Sequence, residues 1–319
     1  MSEAKASLRA STWEDFVGQG QAVKSIKIAL KAAKERGDIL EHILLYGPPG
    51  LGKTTLAHLV ANTLGVGLRI TSGPSLTRVG DLASILTQLE EGDVLFIDEI
   101  HRLTKPVEET LYPAMEDYAL DMVVGKGPGA RSVRLDLNKF TLIGATTKAG
   151  MLSAPLRDRF GLVHRLRFYE DNDLKDIVLN AATKLNITID PESALEIAKR
   201  SRGTARIALK LLKRVLDYAQ VEHQKAPNLE ITQKSLEFYQ VDESGLDETD
   251  RKLLEAIIKD HDGGPVGLET LAALVSEDLN TITDIYEPFL MQSGFLARTP
   301  RGRIATPKAY SHLGLSPKK

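Results

Sequence analysis

Gly47-Pro48-Pro49-Gly50-Leu51-Gly52-Lys53-Thr54-Thr55 decides how this chain of 319 residues is read. The apolar run Ile43 to Tyr46 precedes it, and Leu56-Ala57-His58-Leu59-Val60-Ala61-Asn62 follows with the pattern of a helix. Strand, glycine-rich loop and helix in that order make a P-loop. Gly50 and Gly52 let backbone N–H groups turn inward around phosphate oxygens, where a Cβ would obstruct. The helix N-terminus opened by Lys53, Thr54 and Thr55 adds partial positive charge at the same spot. Lys53 can reach the outer phosphates of ATP, and the Thr54 hydroxyl can sit on Mg2+. A Gly/Pro turn before an ordinary helix is the plain alternative, but it rarely yields a complete GxxxxGKT in this setting.

Outward from the loop, short apolar runs at 68–71, 94–97, 140–144 and 162–166 alternate with helical stretches. Uninterrupted runs of that length suit a parallel sheet buried on both faces, so the fold class is α/β with ligand at the strand C-terminal ends. The run 94–97 ends in Asp98-Glu99, where that rule wants chemistry. Asp98 can hold Mg2+ through water, and Glu99 can polarise the water that attacks the γ-phosphate. A solvated strand end is the bland reading, and the P-loop upstream outweighs it. The run 140–144 leads to Thr146 and Thr147, whose hydroxyls could meet the γ-phosphate or the attacking water, although Thr at a strand end is more often β-propensity.

Bulk composition limits the rest. Apolar and charged fractions of 42% and 26% are ordinary for a globular protein. With zero Cys, disulfides, thiolate chemistry and Cys-based zinc sites are excluded, which fits a reducing compartment. The seven His have no paired metal-ligand spacing, so Mg2+ with nucleotide is the expected metal. No apolar run approaches membrane-spanning length, and the first thirty residues give no sign of export. Net charge is −2, so a nucleic-acid partner needs a local basic patch.

Further along, Trp13 to Gln19 leads into an amphipathic stretch that ends near Gly37, read equally well as packing or as support for a nucleotide base. Segments on either side of the Gly/Pro-rich 125–131 form a β-hairpin over 120–137, either a plain surface hairpin or a partner contact. Arg157-Asp158-Arg159 reads first as a surface ion pair. From Tyr169 the texture becomes helical, including 191–199 and 204–219. The stretch 241–248 reads as a linker. Helices near 250–260, 268–275 and 280–292 then precede two short strands around Thr299-Pro300-Arg301-Gly302, a winged helix-turn-helix. Residues 242–287 hold thirteen acids and three bases, net −10, whereas 288–319 hold six Lys/Arg and no acid, net +6. Arg298, Arg301 and Arg303 suit phosphate contact in a nucleic-acid groove, with a solvated basic tail as the alternative.

Assembled, these residues resemble the AAA+ ATPases, and within them the RuvB family, bacterial motors that branch-migrate Holliday junctions. The resemblance runs from Leu8 to Leu315. It rests on the strings at 45–55 and 93–103, which AAA+ proteins share broadly, and on more family-specific strings at 111–118, 156–161 and 298–303. It implies that Arg159 is an arginine finger reaching a neighbouring subunit's nucleotide, hence a homo-hexameric ring. Arg206 matches the sensor-2 arginine, and Thr147, with Thr146 beside it, matches sensor 1. Leu8, Arg9, Tyr169 and the Glu116-Asp117-Tyr118 run match residues near the nucleotide. The 120–137 hairpin matches the element that docks a RuvA-type junction-binding protein, and a RuvC-type resolvase is a further implied partner. Arg298 and Arg303 match wing residues on DNA, while Leu279 stands where some relatives carry a DNA-contacting arginine. The implied division is a large ATPase domain at 1–168, a helical lid at 169–241 and a winged-helix DNA-binding domain at 242–319, in a bacterial cytoplasm.

Overall fold

The computed structural model describes residues 8–124, 131–223 and 226–316. The apolar runs become strands β1 (Ile43–Tyr46), β2 (Leu68–Ser72) and β3 (Val94–Asp98), then, beyond the hairpin strands β4 (Ala119–Val124) and β5 (Arg131–Asp136), β6 (Thr141–Thr146) and β7 (Leu162–Arg165). The sheet has the order β2-β3-β6-β1-β7 with every pairing parallel. Its central strands β1, β3 and β6 are almost wholly buried. The edge strands β2 and β7 are only partly so, because each has a neighbour on one side alone. Adjacent strands lie about 4.8 Å apart, so the tips of β1 and β3, with β6 between them, are roughly 10 Å apart.

Helix Gly20–Arg36 buries Ala22, Ile26, Leu30 and Ala33, one stripe at helical spacing, and leaves Ile28 exposed. It ends at Gly37, whose φ of 66° is the left-handed conformation such caps favour. β4 and β5 pair antiparallel with Leu120 opposite Leu135, as the hairpin reading expects, while the turn at 125–130 lies outside the described residues. No helix among the described residues is long and apolar enough to cross a membrane.

The chain divides into two compact units. The first comprises 1–173 together with Thr204–Arg206, the second 174–203 and 207–319. The second unit holds helices Pro191–Lys199, Ala205–Tyr218 (from Ile207 on) and Leu229–Phe238 together with the C-terminal region. There, helices Glu248–Glu255, Leu268–Val275 and a helical run from Leu279 to Gln292 pack around Leu253, Leu254, Ile257, Leu271, Ile282, Leu290 and Phe295. The wing strands β8 (Leu296–Thr299) and β9 (Gly302–Ala305) follow. A further helix, Pro307–His312, escaped the sequence reading. Its signal was present: Thr306 caps it, its side chain accepting from the Ala309 N–H, and proline opens it.

The stretch 241–248 is not a loose linker. Asp242 Oδ1 accepts the Ser244 and Leu246 N–H groups, both at 2.9 Å, and Leu246 is completely buried in the C-terminal core.

Candidate functional site

β1 delivers the chain into the loop, where Gly47, Gly50 and Gly52 have φ of 144°, 82° and 94°. Those values are strained for any residue with a Cβ. At Gly50 a Cβ would also stand 2.9 Å from the Arg206 Cβ. The Arg206 N–H donates to the Gly50 carbonyl at 3.4 Å, which brings the sensor-2 candidate onto the loop. Helix Lys53–Leu64 starts immediately after Gly52, so its free N–H groups face the loop. Lys53 is 7% exposed, and its ammonium donates to the Gly47 and Pro48 carbonyls at 2.7 and 2.9 Å. Burial lowers its pKa from the ordinary lysine value, with Asp98 and Glu99 opposing. Thr54 and Thr55 sit half-buried beside it.

The segment before the first helix also reaches the loop. The Tyr169 hydroxyl donates to the Leu51 carbonyl at 3.1 Å, and burial pushes its pKa up to about 12. A Cβ on Gly18 would lie 2.7 Å from the Tyr169 ring, and one on Gly52 would lie 3.1 Å from the Phe16 ring. Gln19 brackets Arg167, donating to its carbonyl at 2.7 Å and accepting its N–H at 3.1 Å. Arg9 lies 3.4 Å from His58 on the P-loop helix, with Leu8 half-buried next to it. Phe16 and Gln19 carried no motif; only their nearness to the first helix hinted at them.

At the tip of β3, Asp98 Oδ1 accepts the Glu99 N–H at 3.0 Å. Glu99 has φ of 48°, an uncommon conformation for a residue with a side chain and one that clusters at functional sites. Its Oε2 accepts from the Thr147 hydroxyl at 3.2 Å and lies 3.2 Å from His101 Nδ1. That same His101 nitrogen is 2.8 Å from the Thr146 hydroxyl, which is fully buried. The two threonines therefore divide: Thr147 faces the Glu99 carboxylate, and Thr146 supports His101. Sequence reasoning passed over His101 because one histidine after an acidic pair has no spacing to mark it.

Arg159 lies elsewhere on the first unit. Nη1 donates to the Pro155 carbonyl at 2.7 Å and Nη2 to Glu116 Oε2 at 3.0 Å, while the guanidinium sits 4.4 Å over the Tyr112 ring. Its buried Nε has no hydrogen-bond partner. The surface pair with Asp158 is not the arrangement found. Of the residues expected near nucleotide, Glu116 meets this arginine, Asp117 meets the hairpin and Tyr118 packs inward. Asp117 pairs with Arg134 at 2.8 Å, and the Tyr118 ring meets His42 and Phe140. Glu116 ends helix Lys105–Glu116 and the other two follow it, and that position sets their neighbours. On the hairpin, Val133 and Leu135 are 48% and 40% exposed.

On the wing, Arg298 and Arg301 are exposed. Arg303 is not, a burial that its reading as a phosphate contact did not anticipate. Its Nε and Nη2 donate to Glu287 Oε1 and Oε2 at 2.6 and 3.1 Å, with both side chains under one-tenth exposed. Glu287, sixteen residues upstream on the preceding helix, already answers that charge.

Three family models match successive stretches of the chain: the Holliday junction DNA helicase RuvB P-loop domain over 8–166, the RuvB AAA lid domain over 169–242 and the RuvB C-terminal winged helix domain over 243–314. The Holliday junction branch migration complex subunit RuvB of Chloroflexus aurantiacus is 58% identical over 313 residues, covering 98% of this chain and 89% of that protein. Among solved structures, the Thermotoga maritima RuvB Holliday junction branch migration motor is 50% identical, with a TM-score of 0.88 over 97% of this chain and 99% of that one. A single-site mutant of it reaches a TM-score of 0.89 with the same coverage.

Proposed function

Because the chain belongs to the RuvB family and is an AAA+ ATPase motor of Holliday junction branch migration, we propose which of its residues do that work and with what partners. The observation that carries the reading is the convergence at neighbouring strand tips of Lys53, the Asp98-Glu99 pair and Thr147. A triphosphate laid along the tips of β1, β6 and β3 meets all of them.

Lys53 and the inward N–H groups of the loop bind the outer phosphates. Thr54 and Asp98, a hydroxyl and a carboxylate, suit Mg2+, which would neutralise charge on the phosphate oxygens. Glu99 takes the proton of the attacking water, and Thr147 holds its carboxylate in orientation. Arg159 of a neighbouring subunit meets the charge that develops on the γ-phosphate, so the working form is a homo-hexameric ring. In that ring Glu116, Asp117 and Tyr118 travel with Arg159 and line the neighbour's nucleotide. Leu8, Arg9 and Tyr169 support the base side, and Arg206 couples the lid to the nucleotide. The domains divide at 168/169 and 241/242.

Arg298 and Arg301 contact DNA phosphates of the junction arms, which suits a motor that must travel through any sequence. The exposed Val133 and Leu135 dock a RuvA-type protein, and a RuvC-type resolvase acts on the same junction in a bacterial cytoplasm. The test is conversion of a synthetic four-way junction to duplex products with ATP, Mg2+ and a RuvA-type partner. Wild type should convert it, and Lys53→Ala and Arg159→Ala should each fail. Mixing the two variants should restore part of the activity, since each supplies what the other lacks. ATP hydrolysis with intact junctions would overturn the reading.

A further inference from the structure

Arg202 stands at a position the motor chemistry above does not use, and it makes more contacts than its place on a loop would suggest. Its Nε donates to the Gly245 carbonyl at 2.9 Å. Its Nη2 donates to Asp247 Oδ2 at 2.7 Å and also to Asp250 Oδ2, and the guanidinium lies 5.1 Å over the Phe289 ring. Asp247 and Asp250 are the two halves of the capping box that starts helix Glu248–Glu255. Asp247 Oδ1 accepts the Asp250 N–H at 3.0 Å, and Asp250 Oδ2 accepts the Asp247 N–H at 2.9 Å. One lid arginine therefore holds the cap of the first winged-helix helix and an aromatic ring of the third. Around it, Arg200 donates to the Val241 carbonyl at 2.8 Å, and Asp242 Oδ2 is 2.9 Å from His312 Nε2. The side chain of Arg202 is 10% exposed and that of Asp250 is fully buried, so this is a desolvated, multiply bonded joint of the kind that fixes one geometry.

Covalent order supplies the other half of the argument. Arg202-Gly203-Thr204-Ala205-Arg206 is a five-residue run. Thr204–Arg206 belongs to the first unit, where Arg206 touches the P-loop at Gly50, whereas Arg202 belongs to the second. Four residue steps span at most about 15 Å. Arg202 and Gly203 turn the chain with φ of 53° and 65°, a conformation unusual for arginine. The run thus has a nucleotide-loop contact at one end and a winged-helix clamp at the other.

We infer that Arg202 is a positioning residue that couples nucleotide state to the DNA-binding domain, by locking lid and winged helix into one body that the Arg206 end moves. The inference rests on the motor reading above. Loss of the clamp leaves ATP binding and hydrolysis intact but lets the winged helix swing free of the lid.

The experiment uses the full chain with a RuvA-type partner. Arg202→Ala should keep ATPase activity within about twofold of wild type and lose at least tenfold in junction conversion per ATP hydrolysed; Arg202→Lys, which cannot meet all three acceptors, should fall between. Because the chain has no cysteine, Glu192→Cys with Glu269→Cys gives two unique spin-label sites, one on each side of the joint. Their distance should be single and equal with ADP and with a slowly hydrolysed ATP analogue, and should broaden when Arg202→Ala is added. If Arg202→Ala does not fold, Arg202→Met with Asp250→Asn removes the buried charges together and is read the same way. A joint distance that changes with nucleotide in the unmutated background, unchanged conversion per ATP, or proportional loss of both activities overturns the inference. Failure of wild type to convert junctions would instead sink the motor reading, and the spin-label distances would still report on the clamp.

Discussion

Arg159 and Arg303 each close a short string with an arginine two residues earlier, and each meets a glutamate. Their circumstances are opposite. Arg303 and Glu287 bury one another through two hydrogen bonds, and both charges are spent on that pair. Arg159 leans on Glu116, whose side chain is 56% exposed, and keeps a buried Nε with no partner. An ion pair at the surface contributes about 0–1 kcal/mol, so exchanging Glu116 for a phosphate costs little. Removing one member of a buried pair costs about 3–5 kcal/mol, so Arg303 has no freedom to leave. The lesson is that an arginine's availability is set by the solvation of its partner rather than by its own motif.

The largest effect that would sharpen this contrast is on turnover. Arg159→Ala should lower ATPase kcat by roughly 10³-fold or more, as losing an arginine finger does, with little change in denaturant midpoint. A stability loss matching that of Arg303→Ala would break the comparison. Arg303→Ala should in turn cost about 3–5 kcal/mol in denaturant unfolding, and Arg303→Met with Glu287→Met should recover most of it. Weak destabilisation together with reduced DNA affinity would make Arg303 a DNA ligand after all. Arg298→Ala with Arg301→Ala should leave stability unchanged and flatten the slope of log affinity against log salt by roughly 2 units, about 0.9 per phosphate contact. A loss confined to particular sequences would contradict phosphate contact.

The smallest effect tests a third buried charge. Burial pushes the Asp250 carboxyl up to about 7, against the pull of Arg202 and with Asp247 adding to the rise. Because the folded state then holds a proton that the unfolded chain releases near pH 4, this group's contribution to stability is full below about pH 4, falls as pH rises and is lost once pH passes through 7. Between pH 6 and 8 wild type should lose about 1 kcal/mol relative to Asp250→Asn. A flat difference would mean that the carboxyl stays ionised throughout.

Much of the ATPase unit is legible in the sequence. The apolar runs became the strands of the sheet within a residue or two, and the hairpin and wing fell where alternation and turn residues put them. Other features are not. That β6 lies between β1 and β3 follows from pairing registers such as Ile43 with Ile143 and Val94 with Thr141, which no local pattern encodes. The supposed linker at 241–248 is polar in composition, yet Asp242 folds it back on itself and Leu246 enters the core. His101 and Gln19 gained their parts from neighbours 45 and 148 residues away.

By itself the sequence determined the elements and the phosphate chemistry of the loop. Glycine's access to positive φ, the period of apolar residues and the cap of a helix are properties of a few adjacent residues. Only the tertiary structure decided which charges are free. Arg298 and Arg301 remain exposed while Arg303, on the same wing, is buried, and Arg202 became a clamp through acids 45 and 48 residues away. Desolvation and the choice of counter-ion arise from packing between distant segments, and composition along the chain does not encode them.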